Sequence, residues 1–250
     1  MIWPLLEGLS EQDRERVLAS TRDRRYQRRE VVFHQGDLGD EFHLVVQGRT
    51  AVQASTPHGD IVTLMVVGPG DFFGELALLE PASRRNATVL ALEPSETLVL
   101  SGERFNELRQ AYPSVNRVLV EALAARLRRL NDLLVEALYF PVETRLLRRL
   151  VEIAEEWGWQ DANGRLELTQ EDLALMAGTT RPTVNRVLQR GVQQGVVGVG
   201  RGHVDILDLP KLRKLAGWTA GPPPARPSEV IPHASGRQLR RRQLRTFDRF

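Results

Sequence analysis

The chain has 250 residues, of which 42% are hydrophobic, and a net charge of +2, a length that suits one or two domains. It contains no cysteine, which excludes disulfides, thiolate-bound metals and cysteine-ligated iron–sulfur clusters and fits a reducing cytosol. No apolar run reaches the roughly 20 residues of a membrane helix and the N-terminus lacks the character of a signal peptide, so a cytoplasmic protein without a membrane partner is expected.

Residues 4–19 have apolar side chains at helical spacing and predict a short helical entry, with Ser10 as N-cap and Asp13 at the third helical position. From residue 30 to residue 100 the pattern changes to short β-rich runs separated by glycines. These runs are Val31–Phe33, Phe42–Val46, Thr50–Gln53, Ile61–Val67, Thr88–Leu90 and Thr97–Leu100. Short strands at close spacing with glycine turns predict a β-sandwich or barrel.

Residues 72–89, FFGELALLEPASRRNATV, combine the groups that a small anion pocket needs. Gly74 has no Cβ and lets the backbone approach a ligand closely. Arg85 offers a planar fork of donors that suits a phosphate, and Glu75 can accept hydrogen bonds from sugar hydroxyls. The segment therefore predicts a site for a small nucleotide.

Residues 113–138 contain no internal proline or glycine and predict one long helix. A heptad seam runs along it through Val120, Leu123, Leu127, Leu130, Leu134 and Ala137. This seam packs either against a second copy in a parallel homodimer or against the chain's own β-domain. A second apolar set, Leu119, Ala122 and Leu133, favours the homodimer because it can cover the β-domain and leave the seam for a partner.

The sequence Phe140-Pro141 interrupts the helix and marks a domain boundary. Residues 142–156 then predict another amphipathic helix, whose arginines are expected to form a solvated face.

Residues 168–197 have the pattern of a helix-turn-helix. Thr169 with Asp172 begins the first helix, Gly178 permits the turn, and Thr180 is a potential N-cap of the second helix, which accepts Pro182 in its first turn. Val184, Val187 and Leu188 would face inward, leaving Arg181, Asn185 and Arg186 outward. Residues 196–207 predict a β-hairpin wing with Arg201 at its tip. The alternative is a pair of core helices with solvated arginines.

Residues 217–250 are rich in proline and arginine and predict a disordered tail. Seven arginines and two acids give residues 221–250 a charge of +5, which leaves −3 for residues 1–220. Any DNA-binding surface in the folded part must therefore be local. The tail either adds non-specific phosphate contacts or is a solvated extension without a specific role.

The two motifs, in this order and joined by a long helix, resemble the cyclic-AMP receptor protein/FNR family of bacterial transcription factors. The resemblance implies an α+β chain with a cyclic-nucleotide-binding β-roll in residues 1–112, a dimerisation helix in 113–139 and a winged helix-turn-helix in 140–216, followed by the tail in 217–250. It also implies a cytoplasmic homodimer that binds double-stranded DNA at a palindromic operator and contacts RNA polymerase, as an activator or a repressor.

The resemblance places cyclic AMP, or else another cyclic nucleotide, in the β-roll; activity without a ligand is the remaining alternative. The implied ligand-binding residues are Gly74, Glu75, Leu76, Arg85, Asn86, Arg126, Leu130 and Asn131. Within this set Glu75 would contact the ribose, Arg85 the cyclic phosphate and Arg126 could pair with Glu75. Leu130 stands where the family usually has a hydroxyl residue, whereas Asn131 could reach a base across the dimer.

The implied DNA-binding residues are Thr169, Gln170, Thr180, Arg181, Pro182, Asn185, Arg186 and Arg201. Arg181 and Arg186 can each grip a guanine, but Pro182 replaces the family's usual glutamate, so one base position should be less discriminated. No Ser/His/Asp set occurs and the five histidines have no metal-ligand spacing. Catalytic and metal-binding residues are therefore not expected, and an enzyme is disfavoured.

Overall fold

The computed structural model describes residues 3–79, 83–157 and 164–218. The strands of its N-terminal part are β1 (Arg22–Tyr26), β2 (Val31–Phe33), β3 (Glu41–Gln47), β4 (Thr50–Ser55), β5 (Ile61–Val67), β6 (Phe72–Phe73), β7 (Thr88–Ala91) and β8 (Ser95–Ser101). They form two antiparallel sheets, ordered β1-β8-β3-β6 and β2-β7-β4-β5. Val45 and Phe73 of the first sheet pack with Val67 and Val89 of the second. The predicted β-domain is therefore a two-sheet roll.

The first sheet contains a strand that the sequence did not indicate. In β1, RDRRY, four of five side chains are charged and the strand is exposed over most of its length. It pairs with β8 alone and lies at the sheet edge, where charged side chains prevent pairing with other chains. The strand forms through its backbone hydrogen bonds with β8, and backbone hydrogen bonds cannot be recognised from the pattern of apolar residues in the sequence.

The helices are α1 (Pro4–Glu7), α2 (Glu11–Ala19), α3 (Leu76–Leu79), α4 (Gly102–Ala111), α5 (Pro113–Tyr139), α6 (Val142–Glu156), α7 (Gln170–Ala177), α8 (Arg181–Gln193) and α9 (Leu209–Leu215). The predicted helical entry is divided at Gly8, and Ser10 caps α2 by accepting the Asp13 N–H at 3.2 Å. None of the described helices is long and apolar enough to cross a membrane.

The long helix α5 presents its two apolar sets to different surroundings. Leu119 and Ala122 are buried in the core that it shares with the roll and α4. The seam residues Val120, Leu127 and Leu134 are 58–65% exposed. Leu123 of the seam and Leu133 of the second set are both half-buried, so the two sets differ in exposure at most of their positions but not at all of them.

The C-terminal part consists of α6–α9 and a three-stranded antiparallel sheet. Its strands, β9 (Arg165–Leu166), β10 (Val197–Gly200) and β11 (His203–Ile206), are ordered β10-β11-β9. The hairpin of β10 and β11 is the predicted wing. Gly217 and Trp218 still contact Arg148 of α6, whereas the rest of the predicted tail lies outside the described residues.

The C-terminal part rests on the sheet β2-β7-β4-β5. Ala51, Leu90 and Leu92 of the roll belong to the same apolar core as α6, α7 and α8. Polar contacts reinforce this packing, since Arg29 lies 3.0 Å from the Asp172 carboxylate and Arg49 stacks 4.4 Å from the Trp157 ring centre.

The arginines of α6 do not form the expected solvated face. Arg149 is only 5% exposed and Arg148 is largely covered. Both pair with the buried carboxylate of Glu136, near the end of α5. The expectation was wrong because the polar side of α6 lies against the last turns of α5 rather than against water.

Candidate ligand pocket and nucleic-acid interface

A cavity of about 400 Å³ lies between the roll, α5 and α6. Its wall includes seven of the eight predicted ligand-binding residues: Gly74, Glu75, Leu76, Arg85, Asn86, Arg126 and Leu130. Asn131 is exposed on α5 and does not line the cavity. Within this single chain Asn131 is therefore not placed to contact a ligand in the cavity.

Gly74 has the close backbone approach that its position in the sequence predicted. Its φ is +90°, and an added Cβ would lie 2.8 Å from Nη1 of Arg85 and 2.9 Å from the carbonyl oxygen of Glu41. A side chain here would therefore strain the backbone and displace the arginine.

Arg85 is a buried cation held by neutral groups. Its Nη1 donates to the Gly74 carbonyl at 2.8 Å and its Nη2 to the Glu41 carbonyl at 2.7 Å. The guanidinium stacks 4.1 Å from the Phe33 ring centre, and its Nε has no hydrogen-bond partner among the described residues. Burial lowers the pKa of Arg85, and nearby carboxylates such as Asp40 oppose this shift. An anion beside the guanidinium would offset the cost of its burial.

Glu75 joins the roll to the long helix. Its carboxylate is 2% exposed and accepts from Nη1 of Arg126 at 2.5 Å, as the sequence suggested. Nη2 of Arg126 donates to the Phe72 carbonyl at 2.6 Å. A carboxylate has about four acceptor sites, so this pair leaves Glu75 able to accept from a sugar hydroxyl.

Three members of an ion cluster that sequence reasoning missed, Arg129, Arg149 and Glu152, also line the cavity. Glu152 of α6 lies 2.5 Å from Arg129 of α5 and also pairs with Arg149, which in turn pairs with Glu136. Burial raises the pKa of Glu152 to about 7; the charges of Glu156 and Glu136 add to the shift, and Arg129 opposes it.

A sequence signal for this cluster exists in α5. Arg126, Arg129 and Glu136 continue, at spacings of three and four, the stripe of Leu119, Ala122 and Leu133 that faces the chain's own fold. Polar residues within a core-facing stripe must find buried partners. That rule would have identified Arg129 and Glu136 as interior residues.

The helix-turn-helix motif has the predicted geometry at its first helix. Thr169 and Asp172 form a complete capping box, and Gly178 ends α7 with φ +59°. Thr180 occupies the N-cap position of α8 but makes no backbone cap; its Oγ1 lies 3.2 Å from Oγ1 of Thr183 instead. A hydroxyl that turns toward a neighbouring hydroxyl is no longer available to the helix.

The outer face of the motif carries the remaining predicted DNA contacts. Arg181, Pro182, Asn185 and Arg186 are exposed on α8, while Val184, Val187 and Leu188 are buried. Arg201 is exposed in the turn of the wing. Gln170, the first residue of α7, is half-buried and bonds to Asn185. Seven of the eight predicted DNA-binding residues are thus accounted for. Arg201 lies in the wing, and six lie on α8 or beside it: Gln170, Thr180, Arg181, Pro182, Asn185 and Arg186. Among the described residues no group of three or more His, Asp or Glu is arranged to hold a metal ion.

Comparisons with known proteins identify relatives of both the N-terminal and the C-terminal part of the chain. Residues 23–112 match the family model of the cyclic nucleotide-binding domain, and residues 144–215 match that of the Crp-like helix-turn-helix domain. The cyclic AMP receptor protein of Thermus thermophilus is 33% identical over 214 residues, 85% of this chain and 96% of the relative. The CRP-like cAMP-activated global transcriptional regulator of Mycobacterium tuberculosis is 27% identical over 194 residues, 76% of this chain and 86% of the relative.

A solved structure shows the same fold. The c-di-GMP-responsive global regulator CLP of Xanthomonas campestris aligns with a TM-score of 0.70 and 24% identity, covering 80% of this chain and 100% of CLP. The predicted α+β architecture of β-roll, long helix and helix-turn-helix is confirmed. The chain therefore belongs to the cyclic-AMP receptor protein/FNR family, as a DNA-binding transcription regulator with a cyclic nucleotide-binding domain.

Proposed function

We propose that this regulator is a homodimer, controlled by cyclic AMP bound in the cavity between the roll and α5, rather than an enzyme. The observation that carries the proposal is the placement of Arg85 and the Glu75–Arg126 pair on one cavity that also reaches α6 of the DNA-binding part. In this proposal residues 1–112 sense the ligand, 113–139 dimerise, 140–216 bind DNA and 217–250 form a tail.

Arg85 would bind the cyclic phosphate and Glu75 the ribose. The Nε of the buried Arg85 guanidinium has no hydrogen-bond partner in the described part of the chain, and a phosphate accepts the paired donors of an arginine better than two separate carbonyls do. Gly74, Leu76 and Asn86 would enclose the sugar phosphate. The name of the Thermus thermophilus relative, a cyclic AMP receptor protein, favours adenine as the base.

Ligand binding would act on the DNA-binding part through α5 and α6. Arg126 and Arg129 lie three residues apart on α5, the first on Glu75 and the second on Glu152 of α6. A ligand that binds Glu75 changes the environment of Arg126. Because Arg129 lies on the same face of α5, the change extends to the ion cluster of Arg129 and Glu152 at α6. The size of the switch equals the ligand's difference in affinity for the two arrangements.

A second candidate is a regulator of the same fold that is independent of ligand or senses another small molecule. Leu130 favours it, because leucine cannot hydrogen-bond a base edge at the position where the family usually has a hydroxyl. Each Nη of Arg85 also donates to a backbone carbonyl without a ligand.

The exposed seam of α5 supports the dimer. Val120, Leu127, Leu130 and Leu134 are 42–65% exposed in the single chain, and apolar residues at a and d positions are buried when two helices supercoil. A two-fold dimer would present two α8 helices to successive major grooves about 34 Å apart. The operator is then palindromic, less discriminated at the position of Pro182, and RNA polymerase is the expected partner.

Calorimetric titration of the full chain with cyclic AMP and with cyclic GMP tests the proposal, together with a gel shift on its own promoter region with and without cyclic AMP. Arg85→Leu should abolish cyclic AMP binding. Arg84→Leu is the matched control, since Arg84 is exposed and its side chain donates to the Gly36 carbonyl at 2.7 Å. DNA binding that is specific yet unaffected by either nucleotide would favour the second candidate.

A further inference from the structure

Two amide side chains meet across the helix-turn-helix on its exposed side. Gln170 is the first residue of α7, and Asn185 lies in the second turn of α8. Nε2 of Gln170 donates to Oδ1 of Asn185 at 3.3 Å. The apolar residues of both helices already hold the motif together from the inside, so this outer bond orients a side chain at the surface.

The bond determines which groups of Asn185 remain for a ligand. An asparagine amide offers two lone pairs on oxygen and two donors on nitrogen. Gln170 uses one lone pair, which leaves the second lone pair and both donors. While Gln170 keeps the orientation seen here, exchanging the oxygen and nitrogen of Asn185 would place two donors against each other, so the pair favours the observed orientation of the Asn185 amide.

The remaining groups match one base. In the major groove, adenine presents the N6 amino donor beside the N7 acceptor, and an asparagine amide pairs with both. Oδ1 of Asn185 can accept from N6 while still bound to Gln170, and Nδ2 can donate to N7.

The position of Asn185 on α8 brings it to the same groove as the arginines. Arg181 and Asn185 are four residues apart on one exposed face, hence about 6 Å along the helix axis, close to the length of two base steps. Arg186 follows directly. Pro182 has no side-chain donor or acceptor and cannot hydrogen-bond a base. The amide of Asn185 can supply a base-specific contact on the same helix.

We propose that Asn185 recognises an adenine in each operator half-site, with Gln170 as the residue that positions its amide. The proposal rests on the DNA-binding role of α8 proposed above. The proposal predicts one feature of the operator: an adenine lies next to the guanines that Arg181 and Arg186 are expected to bind.

The test is selection of duplexes from a random library by the full chain, with and without cyclic AMP, followed by competition binding to the selected duplex and its single-base-pair variants. The unmodified protein should prefer adenine at one position of each half-site by roughly 5- to 150-fold. Asn185→Ala should remove the preference at that position alone. Gln170→Ala should weaken the same preference and also lower affinity for every duplex, because Gln170 is itself a predicted DNA-binding residue.

Gln193→Ala is the matched control, since Gln193 is an exposed amide at the last position of α8 and should leave every base preference unchanged. Equal weakening of all duplexes by Asn185→Ala would overturn the proposal and make Asn185 a phosphate contact. An adenine preference that survives intact in Gln170→Ala would overturn the positioning role. Failure of the unmodified protein to select any sequence would instead overturn the proposed function, and this inference with it.

Discussion

Replacement of Arg149 by methionine should destabilise the chain by an amount that depends on pH. Arg149 is 5% exposed and pairs with both Glu136 and Glu152. Removing one partner from a buried ion pair costs about 3–5 kcal/mol, because the remaining charge stays buried. We expect about 3 kcal/mol at pH 8, since Arg129 and Arg148 still pair with the two carboxylates.

The pH dependence follows from Glu152. Its pKa is raised by burial to about 7, so between its ordinary value and 7 the folded protein holds a proton that the unfolded chain has lost. The associated stability is present at low pH and is lost as the pH rises through 7. Loss of the Arg149 cation raises this pKa further, so the cost of Arg149→Met should be smaller at pH 6 than at pH 8.

Urea unfolding at pH 6 and pH 8, followed by tryptophan fluorescence and circular dichroism, measures both effects. The control is Arg104→Met, which breaks an exposed pair with Glu107 and should leave the free energy of unfolding unchanged at either pH. A variant of Arg149 that is as stable as the Arg104 control at pH 8, or whose cost does not change with pH, would refute this account of the cluster.

Three further changes test other parts of the chain. Gly74→Ala should lower the melting temperature markedly, because its Cβ would meet Arg85 and the Glu41 carbonyl. Gly59→Ala is the control: its φ is similar, +88°, but its Cβ would lie in open space, so the melting temperature should fall less. Equal losses of melting temperature would contradict the close approach at Gly74. Leu127→Glu should shift the protein from dimer to monomer in sedimentation, since it places like charges in the seam, and an unchanged dimer would place the interface elsewhere. Leu130→Thr should tighten cyclic AMP roughly 2- to 10-fold in calorimetry by adding one hydrogen bond, whereas weaker binding would show that no base lies at this position.

Much of the architecture was predictable because it follows from local patterns. The bounds of β5, α6 and the predicted helix over 113–138 agree with the structure to within a residue, since β5 is a nearly continuous apolar run, the helices have an apolar period, and each element has a clear break at its ends. The N-cap at Ser10 and the capping box at Thr169 were predictable for the same reason: the groups that form them are three residues apart. The small edge strands β1 and β6 were not, because their pairing partners are far along the chain.

The residues of the candidate site also divide into those that the sequence identified and those whose placement it could not predict. Gly74, Glu75 and Arg85 were identifiable as a group because one short segment contains all three. Asn131 shows the limit of that reasoning, since its position on the helix, not its residue type, excludes it from the cavity of its own chain.

The sequence by itself determined the order of β-roll, long helix and helix-turn-helix, the grouping of Gly74, Glu75 and Arg85, and the exposed side of α8, because residues close in the chain carry these features. Only the tertiary structure decided that Arg149 is an interior residue and that the cavity extends to α6. It also decided that Gln170 holds Asn185. Each of these depends on which faces of two separate helices meet, and that is settled by packing across the whole fold rather than by any local period.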